Sequence, residues 1–392
     1  MPRRRLLQVL MGATTMISLV VLLHVYLGSR LIGGLGLTGL AASAAWTALA
    51  LLFVSVPLGF ASTRAGPRWL GVPLWWVSHL WIGVFGLLLV SVLTGDVARW
   101  LWAAFTSPSA EGAQRAMRVE AAVVLGLLAP AIAWGWRTAR GPARIENVTV
   151  PIPGLGAGMA GLKVAQISDL HIGQTLDGRF LERVVEQVNA LEPDVVAITG
   201  DLVDGSVARL RDDVAPLSRL RAKLGVFYVN GNHEYYSGPV AWERHVASLG
   251  ITVLHNEHRV VQRGGDSLVI AGITDHDGGA FGPEHQPRPD KAVAGAPQGV
   301  PRILLAHQPR SAEEAAPFGY ALQLSGHTHG GQIFPFMFFV RLQQPVVSGL
   351  HRLAGMWVYT SRGTGYWGPP LRIGPAPEIT ALTLVPAPAA QA

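Results

Sequence analysis

A chain of 392 residues, 49% hydrophobic, with no cysteine and a formal net charge of +6, is long enough for two or three domains and excludes disulfides, thiolate metal sites and thiol nucleophiles. Residues 1–150 carry 12 Arg against 4 Asp and Glu, net +8, while residues 151–392 carry 19 Lys and Arg against 21 Asp and Glu, net −2. The basic balance thus serves the N-terminal part, in topology and contact with anionic headgroups, and the C-terminal part has no electrostatic footprint for DNA or RNA, so no nucleic-acid partner is expected.

Before residue 145, uncharged apolar runs fill positions 8–27, 40–60, 70–93 and 121–136. Each approaches the roughly 20 residues a helix needs to cross a bilayer, and Trp69, Trp75, Trp76, Trp134 and Trp136 lie where interfacial belts are expected. Residues 31–63 run for 33 positions without a charge, which a buried helix of a soluble core would not explain. Four membrane helices are predicted, the fourth being short, interrupted by Pro130 and begun beside Glu120. Arg3, Arg4, Arg5, Arg64, Arg68, Arg137, Arg140 and Arg144 would share one side, against Arg30, Arg99, Arg115 and Arg118 on the other. That bias predicts a multi-pass protein of the cell membrane with its N-terminus and, after four crossings, its catalytic domain in the cytoplasm. The expected division is a membrane domain over 1–145, a linker over 146–160, a soluble domain over 161–385 and a flexible tail over 386–392.

From Gly161 onward short apolar runs at 162–167, 195–199, 226–229, 268–271 and 303–306 read as buried strands. Between them Phe180, Leu181, Val184, Val185, Val188 and Leu191 recur at helical spacing, as do Val240, Val246 and Leu249. Such alternation predicts an α/β domain whose site lies at the carboxyl ends of strands. The Gly- and Pro-rich stretch 278–301 reads as a long surface loop.

Five polar islands end apolar runs: Asp169 with His171, Asp201 behind Gly200, Asn232 with His233 and Glu234, His307 alone, and His327 with His329 in a glycine-rich frame. These are hard and borderline donors of the kind first-row divalent metals take. Two residues apart at the end of an extended strand, Asp169 and His171 would point to one side, and so would His327 and His329. The carboxylate of Asp201 has two oxygens and can bridge two metals. Singly, each has a plainer reading: a loop Asp is commonly a cap or turn carboxylate, and His307 could be a satisfied core histidine. His245, His255, His258, His276, His285 and His351 have no such company.

The ordered set D-x-H, G-D-x-x-D, G-N-H-E, a lone His and G-H-T-H-G-G-Q resembles the calcineurin-like metallophosphoesterases, in particular their membrane-anchored bacterial branch, over roughly residues 160–385. The resemblance implies a two-sheet β-sandwich flanked by helices, with two divalent ions (Mn, Fe, Zn or similar). Asp169, His171, Asp201 and His329 would hold the first ion and Asp201, Asn232, His307 and His327 the second. It further implies attack on phosphorus by a hydroxide held between the metals, with His233 stabilising phosphoryl oxygens or protonating the leaving oxygen, Glu234 orienting His233, and Asp204 supporting from behind. The expected activity is hydrolysis of a phosphoester or pyrophosphate; the alternative is a catalytically silent metal-binding scaffold at the membrane.

Two features bear on substrate. Residues 333–340, an uncharged aromatic run directly after the last island, read either as a buried strand or as a segment that meets lipid, which would favour a lipid-linked phosphate over a small phosphorylated molecule. Arg362, in an S-R-G element similar to that of membrane-linked relatives, is expected to bind phosphate, with a surface ion pair as the alternative.

Overall fold

The computed structural model describes residues 3–62 and 68–388. Arg64, the side chains of Arg3, Arg4, Arg5 and Arg68, and residues 389–392 of the expected tail lie outside the described residues. The chain divides into two units, Met1–Trp136 with Gly368–Leu371, and Arg137–Trp367 with Arg372–Ala392.

The first unit consists of α1 (Arg3–Gly34), α2 (Gly39–Ser62), α3 (Arg68–Thr106) and all but the last turn of α4 (Ala110–Arg140). All four are long and apolar enough to cross a membrane. The fourth extends about three turns N-terminal of residue 121 and continues through Pro130, and the third runs on to Thr106, well past its predicted end at residue 93. Leu27, Leu31, Trp81, Leu88, Val92 and Ala121 pack its interior. Leu22, Leu51 and Leu127 stay exposed, as a lipid-facing surface requires. At one end Asp96 pairs with Arg30 at 2.9 Å and with Arg99, which also holds Glu120. Three of the helices are thereby joined through charges that would be costly alone in lipid.

The second unit is a sandwich of two six-stranded sheets. The strands are β1 (Arg144–Ile152), β2 (Leu162–Ile167), β3 (Val195–Thr199), β4 (Val226–Val229), β5 (Thr252–Val253), β6 (Glu257–Arg263), β7 (Asp266–Gly272), β8 (Arg302–Leu305), β9 (Leu322–Ser325), β10 (Gly349–Leu353), β11 (Met356–Thr360) and β12 (Glu378–Pro386). Their order is β1-β12-β2-β3-β4-β5 in one sheet and β10-β11-β9-β8-β7-β6 in the other. The first has β2 to β5 parallel, and the second has β7, β8, β9 and β11 parallel.

Period-two alternation sorts the side chains between two cores. Leu162, Val164, Val195, Ala197, Phe227 and Val229 face inward, where they meet Leu268, Ile270, Ile303, Leu305, Leu322 and Leu324 of the second sheet. Ala165, Ile167, Val196, Ile198 and Tyr228 face outward under α5 (Gly178–Ala190), α6 (Val207–Val214) and α8 (Pro239–Ser248), which follows the short α7 (Asn232–Ser237). Leu181, Val184, Val185 and Val188 form the buried stripe of α5, at the spacing predicted from sequence.

Residues 146–160 are not a linker. β1 pairs in parallel with β12 over its whole length, from Arg144↔Glu378 to Ile152↔Pro386, because its exposed edge would otherwise leave a row of backbone groups unpaired. Nor is 278–301 a structureless loop: it holds three short helical turns, at 278–281, 283–285 and 289–292, that bury His285, Pro289 and Ala292.

Candidate metal centre

All five islands converge at the carboxyl ends of parallel strands from both sheets. Asp169 and His171 follow β2, Asp201 follows β3 and Asn232 follows β4; His307 follows β8, and His327 and His329 follow β9. The exit loops of β2 and β3 continue to pair, with Asp169 N donating to Gly200 O at 3.0 Å and His171 N to Asp201 O at 3.0 Å. His327 N donates to both carboxylate oxygens of Asp169, at 2.9 and 3.1 Å, which joins the loops of the two sheets.

The local backbone differs from the extended geometry expected of D-x-H and H-x-H. Asp169, His171, Asp201, His327 and His329 have φ of 54°, 46°, 51°, 70° and 50°, in the left-handed region that costs a non-glycine residue on the order of 1 kcal/mol or more. Their common direction comes from these turns rather than from a strand pleat. Gly200 (φ 87°) is required beside them, since a Cβ there would stand 2.6 Å from Gly231 N and 2.8 Å from His307 Nδ1.

Three groups of ligand atoms lie within 4.8 Å of one another: Asp169, His171 and His329; His171, Asp201 and His233; Asp201, His307 and His327. In the first, His329 Nε2 is 3.1 Å from His171 Nε2 and 3.4 Å from Asp169 Oδ1. In the third, His307 Nε2 is 3.2 Å from Asp201 Oδ2. Asn232 Oδ1 joins this group through His327 Nδ1, 3.0 Å away. Asp201 Oδ2 also stands 3.7 Å from His171 Nε2, so this carboxylate is shared by the second and third groups, and His171 by the first and second.

The donors fit a divalent ion on two counts. His171 and His307 each have Nδ1 fixed by an acceptor, Asp204 Oδ1 at 3.1 Å and Thr199 O at 2.8 Å, which leaves a lone pair on Nε2 facing the cleft when the ring is neutral. His307 Nε2 is fully buried and, apart from Asp201 Oδ2 at 3.2 Å in poor hydrogen-bond geometry, has no partner among the described residues. Charge makes the same demand. Burial alone pushes His307 down, yet the carboxylates of Asp201 and Asp169 outweigh it and hold its pKa well above the ordinary value. A pocket with that much negative charge requires a cation, whether proton or metal. Burial and the neighbouring His307 pull His327 down to about 3, and burial with His171 keeps His329 well below its usual value; both remain neutral imidazoles, the form that ligates metal.

Two carboxylates organise the site from behind. Asp204 Oδ1 accepts from His233 Nδ1 at 2.6 Å as well as from His171, so it, and not Glu234, orients His233. Glu234 is fully buried and accepts four backbone amides: Gly231 at 2.6 Å, Asp201 at 3.0 Å, Leu202 at 2.7 Å and Val203 at 3.2 Å. It thereby fixes the loops that carry Asp201 and Asn232. His233 is lowered by burial, but Asp201 and Asp204 outweigh this and carry its pKa up to about 9.

Arg362 departs from its expected role. Its Nη2 bonds Glu146 at 2.7 Å and its Nε bonds the buried Glu378, so the guanidinium neutralises two carboxylates at the start of β1 and β12 and is not offered to a phosphate. The aromatic run is not a buried strand either: only Ile333 is buried, while Phe334, Phe338 and Phe339 are 53%, 58% and 58% exposed on and before a short helical turn at 337–340. Trp367 and Tyr236, with ring centres 5.7 and 5.6 Å from His233, and the buried Arg372 were not singled out by sequence; they belong to no motif.

The family model described as calcineurin-like phosphoesterase matches residues 162–331. Over 354 residues the chain is 35% identical to a Danio rerio protein named transmembrane protein with metallophosphoesterase domain, an alignment covering 86% of this chain and 80% of that one. A Bos taurus protein of the same name is 36% identical over 330 residues, 80% of this chain and 74% of the relative. An uncharacterized metallophosphoesterase of Helicobacter pylori is 41% identical over 232 residues, 57% of this chain and 60% of its own. The fold, the gathered Asp and His side chains and these relatives agree: the chain belongs to the calcineurin-like metallophosphoesterase family, as a form that carries four apolar membrane-length helices ahead of its phosphoesterase domain.

Proposed function

We propose that this protein is a dinuclear, metal-dependent phosphohydrolase that cleaves a phosphoester or pyrophosphate bond of a lipid-linked substrate. The observation that carries the reading is the shared carboxylate of Asp201, standing between His171 on one side and His307 on the other. Asp169, His171, Asp201 and His329 would hold one ion and Asp201, Asn232, His307 and His327 the other. Bound there, the ions would supply Lewis acidity toward the phosphoryl oxygens and activate water for in-line attack on phosphorus.

The chain's own part in the reaction follows from its hydrogen bonds. Asp204 holds Nδ1–H of His233, which leaves Nε2 for the cleft. With its pKa raised, His233 carries a proton at Nε2 that it can pass to the leaving oxygen as the phosphorus–oxygen bond breaks. The rings of Trp367 and Tyr236, set edge-on to His233, line the side on which a leaving group would lie.

The lipid-linked substrate is supported by the exposed Phe334, Phe338 and Phe339, which begin two residues after Gln332 of the last ligand loop. Clustered large apolar side chains in water mark a surface that meets another apolar body. Replacing all three with serine is expected to lower kcat/KM on a long-chain lipid pyrophosphate by about tenfold or more, ~1.4 kcal/mol, and to leave hydrolysis of a water-soluble aryl phosphate unchanged. Equal effects on both substrates would remove the lipid from the reading.

The catalytic domain is proposed to face the cytoplasm of a cell membrane. Arg30, Arg99 and Arg115 have acidic partners in Asp96, Glu120 and Glu111, whereas the eight arginines assigned to the other side have few acidic residues near them in sequence. Protease added outside intact spheroplasts is expected to spare residues 150–388; digestion there would reverse the orientation.

A further inference from the structure

Arg372 lies in no motif, yet it is fully buried and no carboxylate stands within 4 Å of it among the described residues. Burying a guanidinium without a paired anion is costly unless its donors are all used. Most of them are used on backbone. Nε and Nη2 bond Gly365 O at 3.2 and 2.6 Å, Nη2 also reaches Gly363 O at 3.3 Å, and Nη1 bonds His329 O at 3.2 Å. Nη2 stands 3.1 Å from Nδ1 of the His329 ring.

The loop it grips is the backing of Asp169. Thr364 N donates to Ser168 O at 2.8 Å and Gly365 N to Asp169 O at 3.0 Å. Gly363 (φ 78°) is wedged so tightly that a Cβ there would be 3.0 Å from Asp169 Cβ and 2.9 Å from His329 Nδ1. One guanidinium therefore ties the backbone behind Asp169 to both the carbonyl and the ring of His329. None of its hydrogen bonds reaches Asp201, Asn232, His307 or His327.

We infer that Arg372 is a positioning residue for one half of the centre, the group of Asp169, His171 and His329, and meets the half built on His307, His327 and Asn232 only indirectly, through the Asp169 carboxylate that accepts from His327 N. The inference rests on the two-ion reading above. Arginine is needed because its planar fork addresses several carbonyls at fixed angles, whereas a lysine ammonium is a single point of charge on a flexible stem. Loss of the fork frees the His329 ring and the loop behind Asp169 together, and outer partners of metal ligands typically govern affinity by about 10 to 100-fold.

The test is a Mn2+ titration of the full chain in detergent, by calorimetry and by metal content, for wild type, Arg372→Lys and Arg372→Met. Electron paramagnetic resonance separates coupled pairs of Mn2+ from single ions, and the melting temperature of the metal-free protein reports folding. Wild type is expected to take two equivalents with a coupled-pair signal. Arg372→Lys is expected to weaken one equivalent by about 10 to 100-fold, keep the other within about twofold, and show the single-ion signal. Arg372→Met, which fills similar space without the fork, serves if the lysine variant does not fold. Two equivalents in wild type with both retained, or both weakened alike, in a folded Arg372 variant would overturn the inference. A wild type that binds fewer than two equivalents would overturn the two-ion reading on which it rests.

Discussion

Asp201→Asn is expected to reduce kcat/KM for any accepted phosphoester by at least about 10^3, the scale on which loss of a principal electrostatic group is felt in an active site. Its effect exceeds that of any other single ligand because Asp201 Oδ2 faces ring nitrogens of both halves, His307 at 3.2 Å and His171 at 3.7 Å. The asparagine keeps a carbonyl that can accept the amide of His233, which Asp201 Oδ1 holds at 2.9 Å, so the fold of the loop is preserved and the missing quantity is charge. Metal content should fall below two equivalents in the same preparation, measured by elemental analysis after gel filtration. Full activity with full metal content in Asp201→Asn would show that the shared carboxylate is not a ligand.

His233→Asn is expected to lower kcat by about 10^2 to 10^4 on substrates with poor leaving groups, the usual range for a positioned general acid. On a phosphoester whose leaving group needs no proton, such as p-nitrophenolate, the loss should be much smaller. A dependence of rate on leaving-group pKa that steepens in the variant distinguishes proton transfer from simple binding. The sign of the pH effect follows from the same side chain. Asp201 and Asp204 raise His233 to about 9 against the pull of burial, so the acid form prevails below that value and is lost as pH rises through it. Cations bound beside Asp201 draw the value down, placing the alkaline limb of kcat at or below pH 9. That limb should be absent in His233→Asn. An unchanged limb would assign it to another group.

Much of this centre could be read from residues alone, because metal ligation needs particular atoms and the atoms sit at strand ends that apolar runs announce. Val195–Thr199 and Val226–Val229 are strands at the positions their runs predict. What escaped was set by partners distant in sequence. Asn147 to Ile152 alternate as a strand does, but lie in the stretch expected as a linker, and only pairing with β12, more than 230 residues later, settles the matter. Arg362 sits in a motif-like S-R-G, yet Glu146 and Glu378 claim its guanidinium. Arg372 is surrounded in sequence by Leu371 and Ile373, and nothing local signals that its fork reaches His329. The left-handed turns at Asp169, His171, Asp201, His327 and His329 are likewise invisible to spacing rules, which assigned the right convergence to strand pleating.

The same physical cause accounts for what held and what failed. Periodic burial is a local property and is carried by the order of apolar residues. Ion pairing, edge pairing and backbone strain depend on which loops meet, and the two sheets bring together loops from residue 169 to residue 372. The Glu234 carboxylate illustrates this: beside His233 in sequence, it turns away from that ring to hold amides of residues 201–203 and 231.

The proposed activity is phosphoester hydrolysis by metal held on the gathered side chains. Its most direct test is hydrolysis of aryl phosphates, aryl phosphodiesters and a lipid pyrophosphate by the full chain, stripped by chelator and then reloaded with Mn2+, beside Asp201→Asn. Turnover of at least one class by reloaded wild type, absent after chelation and absent in Asp201→Asn, is the predicted result. Reloaded wild type as inert as Asp201→Asn across all three classes would contradict it.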